Sequence, residues 1–441
     1  MYYGACLILA FILAVPALAQ VAPEAEGGSD NNSQMAPPPP VSDQSYPTEV
    51  GSEARSNYLR AGMRFSTSYI DNYNLGAANP VAETTYSILP MIAYDQTTPR
   101  QHRAFTYSPG FTFYEPSSAL NEMDQNLKAG YEYRLTQHVT INALDSFQQS
   151  SGSSGFGDSV DGGAISGSTQ PVTPGIFAPF AERRSNTADG QLSYQFSPVG
   201  MVGVSGTWMK SDYPNPTEVT GLYNSDERGG SASYSRRISA TQYIGGDYQY
   251  ARIVAHPQNG ESDSQTQTIY GFYTIYPNKS LSISVSGGPQ YYNVNQTPSP
   301  SLRGWGPLVM ASAGWQGLHT SFAASYSRQV AAGGGLLGAF DSDSAGATMR
   351  WQISHTWTTG ANASYVINKS ATPLLSVPTQ NGHAILGSAT VDHTFNEQFS
   401  LEFGYDRVHQ GYSGIPAINS NPNSDRETIS LVWRFMRPLG R

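Results

Sequence analysis

Phe399-Ser400-Leu401-Glu402-Phe403-Gly404-Tyr405-Asp406 alternates, residue by residue, between a large apolar side chain and a small or charged one. Successive side chains of an extended strand point to opposite faces, so this octapeptide is a ribbon with one greasy and one wet face. The same period recurs along the chain. Leu127, Ala129, Tyr131, Tyr133 and Leu135 alternate with Lys128, Gly130, Glu132 and Arg134. Ala188, Gly190, Leu192, Tyr194 and Phe196 alternate with Asp189, Gln191, Ser193 and Gln195. Leu281, Ile283 and Val285 are set among Ser280, Ser282, Ser284 and Ser286. Ala347, Met349, Trp351 and Ile353 alternate with Thr348, Arg350 and Gln352, and Ile429, Leu431, Trp433 and Phe435 with Thr428, Ser430, Val432 and Arg434. One such run carries little weight; runs repeated from Tyr58 to Phe435 specify many half-buried strands.

The links between runs alternate too. Short turns fall near Thr136-Gln137-His138, Ser197-Pro198, Ile238-Ser239-Ala240, Pro277-Asn278, Gln316-Gly317, Thr358-Thr359 and Asn396-Glu397. Long links lie near 151–183, 212–221, 254–262, 294–301, 332–342, 370–380 and 410–423. A soluble sandwich has no reason for this rhythm. A transmembrane barrel has one, with tight turns at one rim and long loops at the other. The expected fold is all-β: an antiparallel up-and-down transmembrane barrel of about 18 strands, with 16 to 20 allowed by the hairpins around Thr84 to Glu115. An even count keeps both chain ends on the periplasmic side. Pro90 and Pro109 fall mid-strand on the apolar face, where a missing N–H predicts bulged or broken pairing.

Composition agrees. Of 441 residues only 13% are charged and 39% hydrophobic, with Gly 44 and Tyr 28. Soluble domains carry roughly 25% charge. A net charge of −9 without a Lys/Arg-rich run excludes nucleic acid as a natural partner. No apolar stretch long enough for a spanning helix follows the first twenty residues. Leu7 to Val15 is an apolar core followed by Ala17-Leu18-Ala19, which reads as a secretory signal over 1–19, although Met1 to Ala5 lacks Lys and Arg. Residues 20–57, with Pro37-Pro38-Pro39-Pro40, are too poor in large apolar groups to offset ordering entropy and read as a disordered periplasmic segment. The barrel is expected over 58–435, with a short tail at 436–441. The one cysteine, Cys6, lies in the signal, so the mature chain is expected to lack disulfides and thiol chemistry.

Aromatic residues gather beside the short turns: Tyr133, Tyr194, Phe196, Trp357, Phe395, Phe399, Trp433 and Phe435. This is where an interfacial girdle belongs. His355 falls in the register of Trp351, Ile353 and Trp357 and is expected to be an interface residue. The charges on the opposite register are Arg60, Arg64, Lys128, Glu132, Arg134, Asp189, Asp247, Arg350, Asp392, Glu402, Asp406 and Arg434. A charge inside a membrane is costly unless it faces water or a partner, so these twelve are expected to line the lumen. Catalytic signals are sparse. The eight histidines form neither a His-x-His nor a His-Glu-x-x-His pair, and no phosphate loop or nucleophile elbow occurs. His383 and Ser388 are five apart, which places them on opposite faces of a strand. The sequence therefore implies no enzyme, no cofactor and no metal.

In its signal segment, alternation, turn rhythm and a late strand ending at Phe435, the chain resembles Gram-negative outer-membrane barrels of the porin type. The resemblance covers about the last 380 residues and carries no subfamily motif; six residues, Met436 to Arg441, follow the aromatic with which such barrels end. It implies outer-membrane lipid, the barrel-assembly machinery and hydrophilic solutes as partners. It also implies that the third outer link narrows the pore, with Asp158, Asp161 and Glu182 as constriction candidates opposite wall arginines. Passive diffusion of hydrophilic solutes is the expected function. The alternatives are a non-conducting barrel that presents its long loops and a polysaccharide exporter. A transporter with a plug domain is disfavoured, because fewer than about 40 residues separate the signal from the first strand.

Overall fold

The computed structural model describes residues 57–73, 80–150, 182–214, 223–257, 260–278, 280–296, 301–332, 339–371, 381–413 and 423–439. The signal segment, residues 20–56, Asp158 and Asp161 lie outside these. Eighteen strands follow one another: β1 (Tyr58–Ile70), β2 (Glu83–Thr97), β3 (Gln101–Glu115), β4 (Glu122–Arg134), β5 (Val139–Ser150) and β6 (Arg183–Ser197). They continue with β7 (Gly200–Asp212), β8 (Asn224–Ser239), β9 (Gln242–His256), β10 (Ser262–Asn278), β11 (Leu281–Gln296) and β12 (Leu302–Gln316). The last six are β13 (Thr320–Ala332), β14 (Ala339–Gln352), β15 (Trp357–Ser370), β16 (Gly382–Thr394), β17 (Phe399–Tyr412) and β18 (Asn423–Pro438). Each pairs antiparallel with its sequence neighbours, and β18 pairs with β1, so the sheet closes on itself. The fold is the closed 18-strand barrel that the alternation predicts.

Register fixes its dimensions. Extending each ladder around the wall from Arg64 and back to β1 gives a shear of about 22 residues. With 18 strands spaced about 4.8 Å apart, that shear means a tilt of roughly 40° and a backbone radius of about 18 Å. An interior of that width cannot be filled by wall side chains alone.

The two faces are those of a membrane wall. Phe65, Ile88, Leu192, Val204, Ile283, Val285, Phe403 and Leu431 are large, apolar and exposed. They alternate with Ser68, Thr85, Ser284, Thr274, Ser400 and Ser430, which are buried on the concave side. Concave hydroxyls pair across strands: Ser87 with Thr112 at 3.0 Å, Ser205 with Ser231 at 2.8 Å and Ser327 with Ser344 at 2.7 Å. Such pairs satisfy polar groups while keeping the inner wall low and uncharged.

Several boundaries differ from the alternation's reading; the expected links at 254–262, 294–301 and 410–423 begin inside β9, β11 and β17. Thr358 and Thr359 belong to β15; the turn is 353–356, closed by the Ile353 N–H on the Trp357 carbonyl at 2.9 Å. Ile353 and His355 are therefore turn residues and not wall residues: apolar identity at odd positions continued the period where the backbone had already reversed. β18 runs past Phe435, with Arg60 opposite Met436 and Tyr58 opposite Pro438. The β13–β14 link is also shorter than expected, because Ala339 to Ser342 are strand.

Proline sets the irregularities. Between Ile88↔Phe111 and Ile92↔Tyr107 the β2–β3 ladder lapses with its register unchanged, which puts Pro90 opposite Pro109. Two residues without N–H cannot bond each other, as their placement predicts. A second pair, Pro289 opposite Pro307, adjoins a larger break. The β12–β13 ladder stops at Val309↔Arg328, although both strands continue. Along β12 the even residues bond β11 (the Gln316 N–H reaches the Ser280 carbonyl at 2.8 Å), so Pro307 faces β13 with no donor to offer. Gln290 supplies the replacement. Its side-chain amide donates to the Val330 carbonyl at 2.9 Å and accepts from the Val330 N–H at 2.7 Å. The amide passes over Gly306, where a Cβ would meet Val330 Cγ2 at 2.8 Å. A side chain at 306 would press on Val330, which is packed against Val294 and Ala339, so glycine fits here without displacing that cluster.

Candidate lumen site

All twelve charges expected on the inner wall occupy the register of the buried hydroxyls, opposite the exposed apolar residues. Five of them converge near the short-turn end. Arg64 of β1 forms a two-pronged pair with Glu402 of β17, Nη1 to Oε1 at 3.1 Å and Nη2 to Oε2 at 3.2 Å. The fork crosses β18, whose small Ser430 is fully buried beneath it. Asp392 of β16 stands opposite Glu402 in the ladder, within hydrogen-bonding reach of its carboxyl, and Arg64, Arg350 and Arg434 surround it. Three guanidiniums thus hold two carboxylates. This arrangement spans the five strand contacts from β14 to β1 and leaves the cluster with a positive excess.

Beside it lies a recess lined by β1–β4 and β16–β18, holding roughly 870 Å³ including its open side. Glu122, Asp124 and Asp406 face Arg426 there, and the Tyr114 hydroxyl donates to Glu122 at 2.7 Å. Tyr73, in the link after β1, packs with Ile70 and Tyr114 at the recess's upper edge. Burial first, then Glu122 and Glu83, push its phenol well above the ordinary tyrosine range, so it stays neutral.

Half the strand count away, Asp189 on β6, Glu227 on β8 and Asp247 on β9 form an acidic arc. Thr207 donates to Asp189 at 2.6 Å. Between the two charged arcs, the described inner residues of β10–β13 carry no charge. They offer Ser, Thr and Gln with Tyr270, Phe272, Tyr292, Leu308 and Met310. Lys128, Glu132 and Arg134 lie on β4, with Arg134 at 3.6 Å from Glu132, and Arg60 lies at the foot of β1. Glu182 is placed differently from the expected constriction. It accepts from Arg184 at 2.9 Å and from Gln149 at 2.9 Å, two side chains on the outer register, so it is held to the rim and not over the lumen.

The expected girdle residues at the short-turn end take the outer face: Tyr194, Phe196, Trp357, Phe395, Phe399 and Phe435 are exposed there. A second ring at the long-link end was missed. It includes Tyr69, Phe113, Trp208, Tyr250, Trp305, Tyr326, Tyr365 and Tyr405. On β12 the two rings are marked by Trp305 and Trp315, ten residues apart and so about 25 Å along the barrel axis after tilt, the height of a lipid-facing apolar band. The missed ring adjoins long links, where polar neighbours mask the period. Inward Glu227 and Arg426 were missed for the same reason; counting back in steps of two from the inward Ser430 would have found Arg426. His383 and Ser388 do point to opposite faces, Ser388 inward.

No protein-family model matches the chain, and no curated protein matches it in sequence. Solved structures match in fold. Pseudomonas aeruginosa OccK2 is 10% identical with a TM-score of 0.43, covering 87% of this chain and 98% of its own. Pseudomonas aeruginosa OpdK, solved with vanillate, is 7% identical with a TM-score of 0.41 over 86% and 99%. The ferric citrate transporter FecA is 9% identical with a TM-score of 0.43 over 86% and 79%. At such identities the likeness concerns the fold.

Proposed function

We propose that this barrel is an outer-membrane channel through which small hydrophilic solutes diffuse passively. The observation that carries this reading is the inner wall: a closed ladder of about 18 Å backbone radius whose concave face is lined by hydroxyls and by opposed charged arcs. Water is the natural occupant of so wide and polar a lumen, and buried ion pairs such as Arg64–Glu402 keep the wall rigid. The Arg64, Arg350 and Arg434 cluster and the acidic arc set up a transverse field, which orients dipolar and zwitterionic solutes, while the uncharged strip between them offers hydroxyls and aromatic faces. In this reading the short-turn end, where Tyr58 and Pro438 pair, is periplasmic, and the long links face outward.

Purified, folded protein in planar bilayers should give discrete conductance steps. Folded, heat-modifiable protein that inserts without any step would overturn the reading in favour of a closed, loop-presenting barrel.

A further inference from the structure

Sequence spacing separates His383 and His409 by 26 residues, yet the β16–β17 ladder brings them together. His409 stands opposite Ile385, and His383 opposite Gly411, so the two imidazoles are diagonal neighbours on the outer face. Their Nε2 atoms are 3.3 Å apart. That is the long end of the hydrogen-bond range, reached with a proton on one of the two nitrogens. It is also the separation of two imidazole nitrogens that share one tetrahedral ion: two bonds of about 2.0–2.1 Å at the tetrahedral angle place the nitrogens about 3.3–3.4 Å apart.

The far side of His409 is also set. Its Nδ1 lies 2.8 Å from the Asn423 side-chain oxygen on β18. That oxygen only accepts, so Nδ1 carries the proton and the Nε2 lone pair is left bare and aimed at His383. Metal-bound histidines are commonly oriented by such an outer partner. His383 is braced by the Tyr365 ring, with centroids 6.2 Å apart. His409 shares a cross-strand row with Ile385 and Tyr365, and both histidines lie beyond Tyr405 toward the long-link rim, so the site sits on the outer wall at the second aromatic ring, the headgroup level.

We propose that His383 and His409 form a two-histidine site for a divalent transition-metal ion, Cu²⁺ or Zn²⁺, with Asn423 as its positioning residue. No group of three or more His, Cys, Asp or Glu side chains suited to a metal occurs among the described residues. The ion's remaining positions are therefore open to water or to headgroup oxygens, and the site would tether the wall to its lipid surroundings without touching the lumen.

The test uses the full-length, tag-free barrel, metal-stripped and folded in detergent, titrated with Cu²⁺ and read by electron paramagnetic resonance. One Cu²⁺ per chain is expected, with hyperfine splitting from two equivalent nitrogens. H383A or H409A should remove that splitting and weaken binding at least tenfold, and N423A should weaken it about tenfold, with heat-modifiable folding intact in each. A two-nitrogen signal that persists in the H383A/H409A double variant, or wild-type protein that binds no stoichiometric Cu²⁺, would overturn the proposal.

Discussion

Replacing Val285 with Arg should lower the barrel's stability in a bilayer by about 2–4 kcal/mol, the cost of a basic side chain on the lipid face near the midplane. Val285 is exposed on the outer face of β11. Leu281 of the same strand pairs with Trp315 and Tyr291 pairs with Trp305, so the two aromatic rings bracket it almost symmetrically. The matched control is Asn362→Arg, at a similar depth on β15 but on the inner register. A lumen-facing arginine keeps its water, so that variant should cost little. Urea titration of folding into phosphocholine bilayers separates the two. Equal penalties at both positions would mean that the faces have been assigned wrongly.

The second large effect concerns the fork between Arg64 and Glu402. Their side chains are 17% and 6% exposed, so the pair is substantially desolvated. Removing one member leaves the other charge buried beside Asp392, and breaking such pairs typically costs 3–5 kcal/mol. Partial exposure of Arg64 puts Arg64→Ala near the lower end, about 3 kcal/mol. The double variant Arg64→Met/Glu402→Leu strands neither charge and should recover most of that loss. The same urea titration reads both. A double variant as unstable as the single would show that the fork contributes shape and not charge compensation. Ion selectivity should also shift toward cations in Arg64→Ala, because the positive excess of the cluster falls.

These effects rest on features of unequal legibility. The alternation of Phe399, Leu401, Phe403 and Tyr405 with Ser400, Glu402 and Asp406 was readable because a strand's period is fixed by its backbone and nothing else. From it came the fold, the strand count and the inward register of Arg64, Asp392 and Glu402. Pairing was not readable. Arg64 and Glu402 are 338 residues apart and meet only because β18 closes onto β1 in one register. The same holds for His383 and His409, which lie 26 residues apart along the chain and become neighbours through the β16–β17 ladder. Local identity misled in one place: Ile353 prolonged an apolar period into a turn. It was silent in another, since neither Gln290 nor Gly306 announces itself, and only Pro307, lacking its N–H, hints that the β12–β13 ladder will part.

The most direct test of the central claim, that the polar face lines a water-filled lumen, exploits the scarcity of cysteine. Cys6 is the chain's one thiol, and in a Cys6→Ser background Asn362→Cys and Ala363→Cys place single thiols on opposite faces of β15. Exposed to a charged, membrane-impermeant thiosulfonate in proteoliposomes, Asn362→Cys should label rapidly and Ala363→Cys should resist. An inner thiol that stays unlabelled while the outer one reacts would contradict the account.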